Sequence, residues 1–279
     1  MNCNFKFGGG LVVLFKRHLH SFLKYLPLLF LLTAKDFKLK YRRSVLGVLW
    51  SMLNPLLLMV VFSAVFTLLL KVPPDGMPFS VYYITGSTLF SFFADATSGA
   101  MVSVVNNSLL LQKIYIPKYI FPIEKCLFAL VNAVFSTFAV FFVLLFYVIA
   151  GEVQLHLTVF LIFIPLVFVF LFSVGVSLIL AVLTVFFRDI IHIWGVLTTI
   201  LFHLTPIIYP IKLLDNYGIG RIVKLNPLHY FVDDFRQLLI LGQLPPLSHF
   251  LVGLGVCGAV LVLGFATFKR LQDKFVLHI

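Results

Sequence analysis

Asp95 is the only acidic residue that falls well inside a long apolar stretch of this 279-residue chain. A carboxylate in such a place is costly in hydrocarbon, and by default it marks a transport pathway or a buried pair. The most enzyme-like grouping is His229, Asp233, Asp234 and Arg236, with His229 and Asp233 one helical turn apart on one face. Ordinary surface charges on an amphipathic helix account for the same spacing. His192 and His203 stand singly at the edge of and inside an apolar run, where a histidine more often bonds neighbouring backbone than serves as a ligand. Lys40, Arg42 and Arg43 close a basic arm and are candidates for the inner interface, holding the diphosphate of a lipid carrier or anionic headgroups.

Other chemistry is missing. The sequence has no GxxxxGK(S/T) loop for nucleotide phosphates, no HExxH and no GxSxG. Cys3, Cys126 and Cys257 are far apart and form no CxxC pair, so neither a disulfide framework nor a zinc site is expected. The chain carries no catalytic machinery, cofactor site or metal site that can be read from its residues.

The elements that position these residues follow from composition. Hydrophobic residues make up 61% of the chain and charged residues only 11%, against roughly 45–50% and about 25% in soluble domains. One soluble core could not hide so much apolar surface, so the surplus faces lipid or other helices. The net charge of +11 would point to nucleic acid in a soluble protein, but the cations sit at the ends of apolar runs and read as topology signals.

Six stretches are long and apolar enough for transmembrane helices: roughly Trp50–Leu70, Val81–Val105, Leu127–Ile149, Leu157–Phe187, Ile193–Tyr209 and Phe250–Phe268. The fifth is short, and Pro206 and Pro210 predict that it bends or ends there. Nine cations precede the first span, from Lys6 to Arg43, with Asp36 as the single acid, while Lys71, Lys212, Arg221, Lys224 and Arg236 fall on the other side. The positive-inside rule places both termini in the cytoplasm. The expected class is an all-α integral membrane protein forming one domain over 1–279: an interfacial arm at 1–49, a six-span bundle at 50–268 and a cytoplasmic tail at 269–279. The short apolar stretch Tyr25–Ala34 is read as uncleaved.

Three smaller elements are expected. Phe30 to Trp50 mixes apolar and basic residues and reads as a helix lying in the interface. Asn106-Asn107-Ser108 could cap a short helix over Leu109, Leu110, Leu111, Gln112, Lys113 and Ile114, ended by Pro117, a natural docking knob for a partner subunit. Asn226-Pro227 opens a short amphipathic helix at the outer surface, stopped by Gly242 and Pro245-Pro246. Ala94 to Ala100 is small and polar, so the second span should turn that face toward other helices or a water-filled cavity.

The run Lys35-Asp36-Phe37-Lys38-Leu39-Lys40-Tyr41-Arg42-Arg43-Ser44-Val45-Leu46-Gly47-Val48-Leu49-Trp50, followed by Asn54-Pro55-Leu56, resembles the RDxxxRYRxSxLGxLWxxxxPL opening of ABC-2 permease subunits. Ile116-Pro117, Phe187-Arg188-Asp189-Ile190, Thr205-Pro206-Ile207-Ile208-Tyr209-Pro210, Asn226-Pro227-Leu228 and Phe235-Arg236 follow in the same order. The resemblance covers about residues 30 to 270 and is greatest to the branch exporting O-antigen, capsular polysaccharide and teichoic acid. It implies a homodimer binding two copies of a separate ATPase subunit, which supplies ATP and Mg sites missing here. It implies that the helix at Leu109–Ile114 couples to that ATPase, that Ile211–Gln243 forms an outer gate, and that a lipid-linked glycan passes between two permeases in the bacterial cytoplasmic (inner) membrane.

A glycan in such a channel needs a lined path, because its hydroxyls cannot be left unsatisfied in hydrocarbon. Tyr82, Tyr83, Phe90, Phe92, Phe93 and Tyr209 are candidate aromatic lining, with Asp95 beside them; lipid contact would explain the same phenylalanines. Rival readings are an ABC-2 exporter of a drug or small lipid, a membrane transferase relying on Asp95 or Asp233, and a proton-driven transporter using Asp95.

Overall fold

The computed structural model describes residues 7–70, 76–211 and 220–277, with side chains from Leu23 onward (Leu69, Leu70, Val276 and Leu277 apart). Cys3, Lys6, Lys71 and Lys212 lie outside the described residues, as do the side chains of Lys16, Arg17, His18 and His20. Within the described residues every regular element is helical.

The basic arm forms α1, Phe7–Tyr41. Its inward stripe of Leu29, Thr33, Asp36, Phe37 and Tyr41 repeats at helical spacing and packs on α6, Ile120–Ile149. Asp36, the lone acid among the cations, pairs there with Lys125, which also lies 3.4 Å from Glu124. That pairing explains why α6 begins seven residues before the apolar run predicts: neutralised charges can enter its first turns, and Pro122 is tolerated so close to a helix start. The expected interfacial helix through Trp50 is broken instead. α1 ends at Tyr41, a turn follows in which Gly47 N–H donates to Ser44 Oγ at 3.1 Å, and a short 3-10 segment leads into α2, Trp50–Leu70.

α3, Phe79–Met101, is the centre of the molecule, contacted by α2, α6, α7 (Phe163–Phe186), α8 (Ile190–Leu204) and the later helix Pro227–Arg236. Seventeen of its residues are buried, so much of its small polar surface meets protein rather than lipid, Ser91 and Asp95 staying exposed. α3 stops at Met101, short of the predicted Val105, and α4 (Ser103–Asn106) and α5 (Ser108–Lys113) follow. α8 ends at Leu204, five residues before the predicted Tyr209, because Thr205 precedes proline and takes an extended conformation.

Beyond the 205–210 bend come α9 (Gly220–Leu225), α10 (Pro227–Arg236), a π-turn at Gln237–Leu241 and α11 (Leu247–Leu271). Asn226 caps α10, its Oδ1 accepting from Leu228 N–H at 3.1 Å. α11 lies along α7 so closely that a Cβ on Gly175 would sit 2.7 Å from the backbone of Val260. One on Gly264 would sit 2.5 Å from the Gly175 carbonyl oxygen.

Among the described residues four segments are long and apolar enough to cross a membrane: Gly47–Leu68, Ile120–Ile149, Leu157–Phe186 and Leu247–Phe275. α3 has the length, about 35 Å at 1.5 Å per residue, but a mixed composition. α8 has the composition but only 15 residues. Among the described side chains of α2 and α8 none is fully buried, so both flank the bundle rather than complete its core.

Candidate functional site

Two faces of α3 carry the functional geometry. Along one, Tyr83, Ser87, Ser91 and Asp95 recur every four residues and so lie in a line. With Thr88 they wall a cavity of about 470 Å³. Opposite stand Trp50, Ser51, Asn54, Leu58 and Phe62 from α2, Asn132 and Ser136 from α6, Lys40 and Tyr41 from α1, and Phe202 from α8. Tyr83 and Asp95, two of the expected lining residues, therefore meet Lys40, expected at the headgroups, in one place.

The polar groups here are held in order. Tyr41 OH donates to Asn132 Oδ1 at 2.9 Å, Asn132 Nδ2 donates to the Phe128 carbonyl at 3.0 Å, and Ser136 Oγ donates to the Ser51 carbonyl at 2.9 Å. Tyr83 stacks on Phe62 at 4.7 Å between centroids, and Lys40 Nζ lies 5.3 and 5.4 Å from the Tyr41 and Phe128 rings. Thr88 Oγ1 is buried with no hydrogen-bond partner among the described residues. Ser91 and Asp95 remain exposed toward the opening. One cation, one anion, hydroxyls, amides and aromatic rings suit hydrogen bonding and stacking with a polyhydroxylated ligand. Among the described residues no cluster of His, Cys, Asp and Glu could hold a metal ion.

The other face of α3, at Tyr82, Thr85 and Gly86, is closed by Arg236. This guanidinium is 4% exposed and lies 3.6 Å from the centroid of the Tyr82 ring. Its Nη2 donates to the Tyr82 carbonyl at 2.8 Å, Nη1 to the Pro206 carbonyl at 2.8 Å and Nε to Thr85 Oγ1 at 3.4 Å. Tyr82 OH donates to the Tyr209 and Pro206 carbonyls at 2.9 and 3.1 Å. Gly86 leaves the space, since a Cβ there would stand 2.7 Å from Nη2. One arginine thus ties α10, α3 and the 205–210 bend together.

The expected grouping around His229 divides: His229, Asp233 and Arg236 border one cavity, whereas Asp234 turns to another partner. Asp234 pairs with His249 Nδ1 at 2.9 Å, Asp233 accepts from Gln237 Nε2 at 2.8 Å, and Arg236 turns inward. Burial lowers the pKa of His229 from its usual value, opposed by Asp233 and reinforced by Arg236, His249 and Lys224. Burial raises that of Asp234, with His249 opposing.

The family model for the ABC-2 type transporter matches residues 27–240. The chain belongs to the ABC-2 type transporter family. It is similar to two Klebsiella pneumoniae proteins named O-antigen export system permease protein RfbA. These are 29% and 26% identical over 250 and 251 residues, each match covering 89% of this chain and 93% of the relative. A Myxococcus xanthus protein of the same name is 26% identical over 256 residues, covering 90% of this chain and 95% of its own.

In this ABC-2 chain the remaining expected residues lie apart from the cavity. Phe90 and Phe93 are 5% and 1% exposed and serve the interior, Phe90 against Phe202 at 5.2 Å and Phe93 against Phe172 at 5.5 Å and Trp194 at 6.1 Å. They sit on the α3 face that meets α7 and α8, so the tally of aromatic residues in the second span overstated its open lining. Phe92 is also buried. Tyr209 belongs to the bend, its OH donating to the His203 carbonyl. Arg42 lines a separate groove along α1 with Lys35 and Lys38, and Arg43 is exposed just past the helix end.

α5 covers Ser108–Lys113 and stops at an extended Ile114 before Pro117 is reached. Asn107 does not cap it, because its Nδ2 bonds back to the Ser103 carbonyl at 2.8 Å. None of Leu109 to Ile114 is buried; Leu109 is 71% exposed and Tyr115 93%.

Asn132 and Ser136 were not singled out from the sequence, Asn54 entered only within a motif, and Arg236 entered in the His229 grouping and a motif but not as the tie between elements. Arg236 was legible: it falls four residues after Val232 and three before Leu239, on the apolar side of its helix. The others carry no local signal, because only the packing of α1, α2 and α6 brings them together.

Proposed function

We propose that this chain is the membrane-spanning subunit of an ABC exporter that moves a lipid-linked polysaccharide, of the O-antigen or capsular type, across the cytoplasmic membrane. The observation that carries the reading is its likeness, over about nine-tenths of its length, to permeases named for O-antigen export. The polar and aromatic cavity beside α3 supports it chemically, since hydroxyl-rich chains need paired donors and acceptors within the membrane.

In this reading α2, α3, α6, α7, α8 and α11 are six spans, both termini are cytoplasmic, and α9 and α10 cap the outer side. Two copies pair around a shared path walled by Tyr83, Ser87, Ser91 and Asp95, with Lys40 at its inner entrance and Arg42 and Arg43 beside the headgroups. Phe90 and Phe93 stiffen α3 from behind, while Tyr82 and Tyr209 shape the outer mouth. Two copies of a separate ATPase subunit bind ATP and Mg and dock on Leu109–Ile114, whose exposed leucines offer an apolar knob. This chain itself binds no cofactor and no nucleic acid.

Purification of the tagged protein in mild detergent, with identification of stoichiometric partners, tests the reading. A co-purifying P-loop ATPase, lost when Leu109 and Leu110 are changed to Asp, is the expected result. A protein that emerges without an ATPase would overturn it.

A further inference from the structure

A second polar cavity, of about 370 Å³, lies at the α10 end of the bundle, walled by Met77, Tyr82, His229, Asp233, Gln237 and Gln243 among others. Its size falls within the range of small-molecule sites. We infer that this cavity is an outer subsite that holds one neutral sugar unit of the emerging chain through Asp233, Gln237 and Gln243.

The inference rests on the proposed export function and adds a second place where the glycan is held. Its first support is the backbone that builds the wall. Gln237–Leu241 is a π-turn, a rare element that is frequent at functional sites. The following Gly242 has φ +67°, and a Cβ there would lie 2.3 Å from the His156 ring. Gly242 and Gln243 N–H both donate to the Gln237 carbonyl. This turn brings two glutamines that are six residues apart to one cavity, which an α-helix continued through Gly242 would not do.

The second support is the charge pattern. Asp233 is fixed by Gln237 Nε2 at 2.8 Å. A carboxylate and two carboxamides in one wall offer both acceptors and donors, the pairing that sugar hydroxyls need. The cation in the wall, Arg236, already spends Nε, Nη1 and Nη2 on a hydroxyl and two carbonyls, and burial keeps His229 from charging. Among the described lining residues no other cation faces the cavity to repay an anion's desolvation, so a neutral saccharide suits this lining better than a phosphate.

Saturation-transfer NMR on the full-length protein in nanodiscs, with mannobiose as the neutral probe and inorganic pyrophosphate as the charged one, tests this. Transfer to mannobiose should fall about fivefold or more in Gln243→Ala, an exposed position that does not threaten folding, and in Gln237→Ala, since each removes a hydrogen-bonding partner. Pyrophosphate should not compete. Equal transfer in wild type and both variants overturns the subsite while the export reading stands. Competition by pyrophosphate overturns the neutral-sugar assignment, and absence of transfer in wild type overturns the subsite outright. The export reading falls separately, if no ATPase co-purifies.

Discussion

Two faces of α3, one residue out of step, have opposite characters. The face through Tyr82, Thr85 and Gly86 is filled by a buried arginine whose nitrogens are all engaged. The face through Tyr83, Ser87, Ser91 and Asp95 opens into a cavity and keeps an exposed carboxylate. Side chains one apart on a helix diverge by about 100°, so a single helix can serve as anchor and as wall. The difference teaches where each kind of damage should register: stability on the Tyr82 face, transport on the Tyr83 face.

Arg236→Ala should have the largest effect. It removes charge-assisted bonds to two buried carbonyls, each of which keeps one hydroxyl partner, together with the stacking on Tyr82, and should cost about 3 kcal/mol. The loss is measurable as a drop of several degrees in the thermal unfolding of purified protein. Arg236→Lys should recover only part of it, because one ammonium cannot reach both carbonyls and stack. Full recovery by lysine would break the account. Gly86→Ala comes next, at about 1–3 kcal/mol, since the new methyl group competes with Nη2 for the same space; an unchanged melting point would mean that the guanidinium is not confined there.

A pH effect sharpens the same contrast. Burial lowers the His229 pKa, with Asp233 opposing and Arg236, His249 and Lys224 adding to the shift. The unfolded chain therefore binds a proton that the folded chain refuses. Stability from this group is complete above the ordinary histidine value and is lost as pH falls below it. Between pH 7.5 and pH 5.5 wild type should therefore lose more of its melting temperature, or gain less, than His229→Gln, because the raised Asp234 acts in the opposite sense in both proteins. An unaltered pH slope in the variant would assign the effect elsewhere. Smallest in stability is Asp95→Asn, expected within about 0.5 kcal/mol for an exposed position. Yet it should reduce glycan export measured at the cell surface. A large melting shift with normal export would reverse the roles of the two faces.

What could be read in advance follows the range of the signal. Helix α2 lies where its apolar run predicts, and the family resemblance was carried by contiguous motifs that need no tertiary knowledge. Boundaries slipped where a partner from elsewhere decides them. The start of α6 depends on Lys125 meeting Asp36, 89 residues away; the end of α8, by contrast, follows the local Thr205-Pro206 pair that the proline signal announces. The cavity was half legible. Tyr83, Asp95 and Lys40 announce themselves by type, whereas Asn132 and Ser136 become polar lining only because α6 crosses behind α2. Phe90 and Phe93 misled for the converse reason: an aromatic ring reads the same in sequence whether it meets a channel, a lipid or another ring.

The glycine contact between α7 and α11 bears on where the molecule can dilate. With Gly175 and Gly264 backbone to backbone and no side chain to slide or re-pack, that seam has no slack to give. Clearance comes more readily from helices with no fully buried side chain among those described, and α2 and α8 answer that description. The α7–α11 pair then acts as a fixed keel, and changes of bore fall to the two flanking helices and the short loops that tether them.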